Sequence, residues 1–263
     1  MNKSLYKALD LDPLASPHTT TSMPQLPTEM LDCITDYLHD NPDALKACCL
    51  VSVSRVPHTR KHLFKCVDFK YSGDFDRWKR KFPDPVKSPA IHTRSLFFRH
   101  ADQLTDADVS WIRSFTNVVQ LEVMACWNHD YYGRPFFPFH GLSSTVKSLS
   151  MAWRDLQSQE VFDFIRSFPS LVDLYIAGQG RIRNNGEDWT VSHLPPLTGS
   201  IVLGTSTPDF LRQLLQFRNH LCFKKIVWRK ISKNSFEGVA DLVEKCCDVL
   251  ECIEIDIFRT SAE

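Results

Sequence analysis

Cys126 and His129 are the pair in this sequence that could be drawn as a nucleophile and its base, since a thiol attacks well only when a neighbouring imidazole takes its proton. A Cys-x-x-His spacing does not fix that geometry. His129 and Asp130 also lie in a tyrosine-rich stretch that reads as a surface turn. Cys246, Cys247 and Cys252 are residue types that hold zinc, but their spacing fits no common zinc pattern and no histidine lies at ligand spacing. Gly-x-Ser-x-Gly, a glycine-rich phosphate loop and His-Glu-x-x-His do not occur. These residues predict no catalytic group, no cofactor and no resident metal. The expected chemistry is recognition; a hydrolase would require Cys126 and His129 in one deep cleft.

Composition narrows what is recognised. Lys+Arg and Asp+Glu are balanced at 31 each, so there is no net field to hold a polyanion, and neither nucleic acid nor an anionic membrane is an expected partner. No run approaches the roughly 18 apolar residues of a membrane span, and Met1 to Pro24 lacks the basic-then-apolar order of a secretory signal. A cytoplasmic or nuclear location is expected. The nine cysteines fall mostly inside apolar runs, as buried thiols do in a reducing compartment.

A recognition surface needs elements to carry it, and residues 67–263 supply a repeating one. Segments centred on Leu96, Leu121, Leu149, Leu174, Ile201, Ile226 and Ile253 recur at separations of 25, 28, 25, 27, 25 and 27 residues. Two residues after each centre comes Phe98, Val123, Met151, Ile176, Leu203, Trp228 or Ile255. Three residues before stand Val118, Val146, Leu171, Phe223 and Leu250, with Thr93 and Thr198 as exceptions. Val67 and Phe69 suggest an additional first strand. Apolar alternation means strands with one buried face, and recurrence near 26 residues means one stacked unit. Helical patterns lie between most strands: Thr105 to Phe115 with a capping box at Thr105 and Asp108, Ser158 to Phe168, a segment opened by Thr207–Pro208, and Ser232 to Leu250. Strand–helix–strand at this spacing predicts an α/β fold with parallel strands.

Residues beside each centre point away from the packed face. Phe97, Glu122, Ser150, Asp173, Tyr175 and Lys225 are therefore candidates for binding a protein substrate, with Trp127, Trp153 and Arg154 at one rim, where Trp and Arg are common anchors. Trp153 reads equally as core. Two spacers, 125–145 and 178–196, are too rich in Gly and Pro for regular helices; they either cover the convex side or form binding loops.

Residues 1–24 read as a flexible, Ser/Thr/Pro-rich leader. Residues 25–66 read as three short helices: one opened by Pro27 with Met30, Ile34 and Leu38 recurring every fourth residue, one opened by Asn41–Pro42 and apolar nearly all round from Ala44 to Val51, and one restarted at Pro57. A module of that size is marginal alone.

The Leu-x-x-Leu-x-Leu pattern over residues 67–263 resembles leucine-rich repeats. The family's turn residue, Asn or Cys five positions after the centre, is matched only by Cys126; the others are Ala101, Arg154, Gln179, Ser206, Ile231 and Phe258. The resemblance implies an irregular leucine-rich-repeat solenoid with a curved parallel sheet, one whose last strand so close to Glu263 suggests further repeats. Leu26-Pro27-Thr28-Glu29-Met30-Leu31 through Ile34 and Leu38, followed by Ala44-Leu45 through Leu50-Val51-Ser52 and a third element ending in His62-Leu63-Phe64, resembles an F-box of the large fungal type; Arg55 stands where an aromatic is usual. That resemblance implies a substrate receptor of an SCF-type cullin–RING ubiquitin ligase. Leu26, Pro27, Glu29, Leu31, Ile34, Leu38, Leu45, Leu50 and Val51 would then meet a Skp-type adaptor. The other possibility is a non-enzymatic repeat scaffold whose N-terminal helices only cap the open end of the stack.

Overall fold

The computed structural model describes residues 26–51, 53–101, 104–124, 137–142, 144–152, 156–177, 182–183, 196–204, 208–217, 221–229 and 236–256. The fold is α/β. One open, all-parallel sheet carries eight strands in strict chain order: β1 (Cys66–Phe69), β2 (Ser95–Phe98), β3 (Gln120–Met124), β4 (Ser148–Ala152), β6 (Asp173–Ile176), β8 (Ser200–Leu203), β9 (Lys225–Arg229) and β10 (Cys252–Asp256). Two-residue segments β5 (Leu156–Gln157) and β7 (Ile182–Arg183) pair with each other outside it.

The register places the expected centres in one row. Val67, Leu96, Leu121, Leu149, Leu174, Ile201, Ile226 and Ile253 are successive cross-strand partners. A second row two residues on runs from Phe69 and Phe98 to Trp228 and Ile255. A one-residue slip anywhere would turn both rows to solvent, which is why the alternating pattern fixes the pairing so firmly. Both rows are buried from Val67 to Trp228; only the last strand differs, with Ile253 45% and Ile255 48% exposed.

Connecting elements close the buried face: α4 (Asp74–Lys81), α5 (Val109–Ile112), α6 (Ser158–Arg166), α7 (Pro208–Leu214), α8 (Phe236–Cys246) and 3₁₀ turns at Pro89–His92, Asp106–Asp108 and Phe137–Leu142. The helix expected from Thr105 is short because a 3₁₀ turn takes its first residues. The Asp108 carboxylate there accepts from the Thr105 N–H at 2.9 Å and its hydroxyl at 3.0 Å. Helix α4 lies where no element was expected, and it opens after Gly73 at φ +83°, a left-handed conformation that glycine adopts without Cβ strain. The described part of the 125–145 spacer covers the sheet: Phe139 is fully buried between Phe98, at 5.1 Å between ring centroids, and Phe164, at 6.3 Å.

The two threonine exceptions resolve differently. Thr93 is buried, with a hydroxyl that has no partner among the described residues. At Thr198 the chain slips by one residue, so that Leu197 is buried and bridges to Leu221 while Thr198 faces out. The slip presses the backbone against the preceding repeat: a Cβ on Gly199 would stand 2.5 Å from Val172 Cγ1 and 2.6 Å from Asp173 Oδ1. Of the seven turn positions only Ala101 is described, and it is buried.

Among the described residues three α-helices precede the sheet: α1 (Thr28–Tyr37), α2 (Pro42–Val51) and α3 (Val56–Leu63). Pro27, extended at φ −52° and ψ 146°, precedes α1, and the Asn41 side chain caps α2 by accepting the Ala44 N–H at 3.0 Å. The expectation that α2 would be buried on most sides is corrected: Leu45 is buried, but Leu50 is 89% and Val51 85% exposed. Three short helices offer too little surface to enclose a helix that is apolar all round. The expected leader, residues 1–24, lies outside the described residues. No described helix is long and apolar enough to cross a membrane.

Candidate functional site

Two surfaces carry the candidate binding residues. The first is formed by the N-terminal helices. Along α1, Leu31, Thr35 and Leu38 turn toward the other helices, and the buried Thr35 hydroxyl donates to the Leu31 carbonyl at 2.9 Å. The opposite stripe is uncovered, with Leu26 49%, Met30 53%, Ile34 46% and Tyr37 87% exposed. Leu50, Val51 and Val53 add to it from the end of α2 and the turn beyond. Of the candidates here, Pro27 and Glu29 are exposed, Leu31 and Leu38 are half-buried, and Leu45, 1% exposed, belongs to the module's own core.

Arg55 makes an ionic tie between α1 and the start of α3. Its guanidinium, 12% exposed, donates to Asp32 Oδ1 at 2.9 Å and reaches the Thr28 carbonyl at 3.5 Å, so it holds α1 from the start of α3. A turn further along the same side of α1, Asp36 Oδ1 accepts from His58 Nε2 and His62 Nε2, each at 2.8 Å. These two bonds, from His58 first, hold the exposed Asp36 carboxyl below its ordinary value. Asp36, His58 and His62 are the one group of metal-ligating side chains brought together among the described residues. The signal for it in the sequence is the His-x-x-x-His spacing of His58 and His62. Cys246, Cys247 and Cys252 instead face different groups: the Leu221 carbonyl, Asp248 and Glu254.

Comparisons of the chain with family models, curated proteins and solved structures find no match.

The second surface is the sheet's outer face. Asp68, Phe97, Glu122, Ser150, Tyr175, Val202, Val227 and Glu254 form one cross-strand row there. Phe97, Glu122, Ser150, Asp173, Tyr175 and Lys225 are all half-exposed on it. Their chemistry differs. Asp173 is engaged, accepting the Ser200 N–H at 2.8 Å and hydroxyl at 2.7 Å. Lys225 is paired with Glu254. Arg229 lies over the Tyr175 ring at 5.9 Å, within cation–π reach. Glu122 has no hydrogen bond or ion pair to a described residue; burial pushes its carboxyl up, Arg99 pulls it back, and Asp68 adds to the rise. Trp127, Trp153 and Arg154 lie outside the described residues, as do Cys126 and His129.

A pocket beside α4 is lined by Tyr71, Phe75, Asp76, His100, Leu104 and Asp108. Asp108 there is already bonded to Lys79 at 2.5 Å and to Thr105, so this corner ties neighbouring repeats together.

Proposed function

We propose that this chain is a non-catalytic substrate-recognition subunit of an SCF-type cullin–RING ubiquitin ligase. The N-terminal helices act as an F-box that docks a Skp-type adaptor, and the sheet acts as an irregular leucine-rich-repeat solenoid that holds a protein substrate. The observation that carries this reading is the uncovered apolar stripe. Leu26, Met30, Ile34, Tyr37, Leu50, Val51 and Val53 are seven of the fourteen exposed large hydrophobic residues named among the described ones, and they fall within residues 26–53. A concentration of that kind marks an interaction surface. The outer sheet face supplies the usual elements of protein recognition: aromatic Phe97 and Tyr175 with Arg229 beside them, and a partly buried Glu122 suited to a basic group.

Co-purification of the full chain with a Skp-type adaptor tests the docking. Met30→Asp and Ile34→Asp each place a carboxylate in the apolar contact without touching the module's core, and each should lower adaptor recovery at least about tenfold. Thermal melts should be unchanged. Undiminished recovery with both variants refutes the reading.

One observation favours a capping role for part of the same segment. Phe64, just after α3, packs edge-on against Trp78 at 5.8 Å and Phe82 at 5.9 Å, and the Lys65 carbonyl accepts from the N–H groups of Arg94 and Ser95. Under the scaffold reading these contacts are the whole purpose of the helices, and neither aspartate variant would affect any partner.

A further inference from the structure

We infer that Asp36, His58 and His62 form a binding site for a first-row transition-metal ion, Zn²⁺ in particular, which staples α1 to α3. His58 and His62 are four residues apart on α3, so their rings project from one side of the helix. Both Nε2 atoms converge on a single oxygen of Asp36 from α1, at 2.8 Å each, and the three donor atoms lie within 4.8 Å of one another. A tetrahedral ion with 2.0–2.1 Å bonds needs donors about 3.3 Å apart, so rotamer adjustments of a fraction of an ångström to about an ångström complete the set. Two imidazoles with one carboxylate suit zinc and its neighbours better than calcium or magnesium, which prefer all-oxygen shells.

Burial and the surrounding charges fit the same role. The histidine side chains are 22% and 18% exposed, held by packing, whereas Asp36 is 58% exposed and leaves an open side for water as fourth ligand. On binding, each neutral imidazole keeps one proton, moved from Nε2 to Nδ1, and the Nε2 lone pair goes to the metal. For His58 that proton faces a second carboxylate: Asp32 Oδ1 lies 4.0 Å from Nδ1 and is itself anchored by Arg55 at 2.9 Å. Carboxylates placed behind a ligating histidine fix its tautomer and orientation. At about 100° per residue, Asp32 and Asp36 lie about 100–160° round α1 from Met30, Ile34 and Tyr37. A metal here would therefore fix the helix from behind and leave the apolar stripe free. The site stands whether or not that stripe docks an adaptor.

The test uses the full chain without a histidine tag, stripped with chelator, and titrated with Co²⁺ followed by displacement with Zn²⁺. One equivalent should bind, giving visible Co²⁺ absorption without the near-ultraviolet thiolate band that cysteine ligands produce. His58→Gln with His62→Gln should abolish that equivalent, and Asp36→Asn should weaken it about tenfold or more. On the wild-type protein, Zn²⁺ should protect His58 and His62 from carbethoxylation, mapped by mass spectrometry, so the test does not depend on a variant folding. No saturable binding, binding unchanged in the double variant, or equal carbethoxylation with and without Zn²⁺ overturns the assignment. None of these readouts involves an adaptor, so failure here is separable from failure of docking.

Discussion

Leu149 and Ile253 occupy the same position in the row that runs across the sheet, yet replacing each by alanine should have very different consequences. Leu149 is fully buried between Leu121 and Leu174. Truncation there loses the transfer free energy of the removed carbons and leaves a cavity that neighbours on both sides cannot collapse into, a cost of about 3–4 kcal/mol. Ile253 is 45% exposed on β10, which among the described strands pairs only with β9. About half the transfer term is at stake and no enclosed cavity forms, so Ile253→Ala should cost about 1 kcal/mol. Equilibrium urea unfolding measures both, followed in parallel by far-ultraviolet circular dichroism and by tryptophan fluorescence. Coincidence of the two probes checks that the stack unfolds as one unit. Equal costs at the two positions, or a Leu149→Ala cost under about 1.5 kcal/mol, would refute the continuous interior on which the fold rests.

Two further outcomes follow from contacts between neighbouring elements. Burial alone would raise the Asp108 carboxyl, but hydrogen bonds from Lys79 and from the Thr105 N–H and hydroxyl outweigh it and hold it below the ordinary value. A depressed folded-state value means stability that is present above the unfolded aspartate value, near 3.9, and is lost as pH falls through the folded one. Asp108→Asn should therefore cost about 1–3 kcal/mol at neutral pH and flatten the acid limb of a stability–pH curve below about pH 4; an unchanged limb rules out the pairing. Phe64→Ala removes the edge-on contacts to Trp78 and Phe82 and should cost about 1–3 kcal/mol. Limited proteolysis between α3 and β1 should quicken, and cleavage at the wild-type rate would show that the helices are attached in some other way.

The strand rows were legible because side-chain alternation has a strict period and any slip of register exposes a whole face. Even Val67 and Phe69, with no preceding repeat to set their spacing, pair with Leu96 and Phe98. Helix α4 was not legible. Its sequence, Asp74 to Lys81, is mostly charged, and its grip on the core depends on Phe75 and Trp78, too few apolar residues to establish a period. The exposed side of α2 is not legible because an all-apolar helix looks the same in sequence whether its neighbours are in the same chain or in another. Alternation puts Phe97, Glu122, Ser150, Asp173, Tyr175 and Lys225 on one face, but it says nothing of pairing: it does not distinguish Asp173, bonded to Ser200, from Glu122, which has no such bond among the described residues. The meeting of Asp36 with His58 and His62 depends on how α1 crosses α3, and the sequence holds only the four-residue spacing of the two histidines.

Capping and docking, the two roles that the sequence left as alternatives, call on different parts of the N-terminal helices. Attachment to the sheet runs through the end of α3, where Phe64 meets the aromatic side of α4 and Lys65 continues the backbone pairing into β2. Helix α1 holds to α3 through polar ties, Arg55 to Asp32 and two histidines to Asp36, while α2 contributes the buried Leu45 to the module's core. A cap evolved only to seal the sheet would turn its apolar residues inward. Here Met30, Ile34, Tyr37, Leu50 and Val51 face solvent while charged and imidazole groups make the internal joint. That inversion is costly for an isolated module and reasonable for one that completes its core on a partner. Capping by α3 and docking by α1 and α2 are therefore compatible, and Phe64→Ala and Ile34→Asp should separate them: the first loosens attachment, the second removes only the partner.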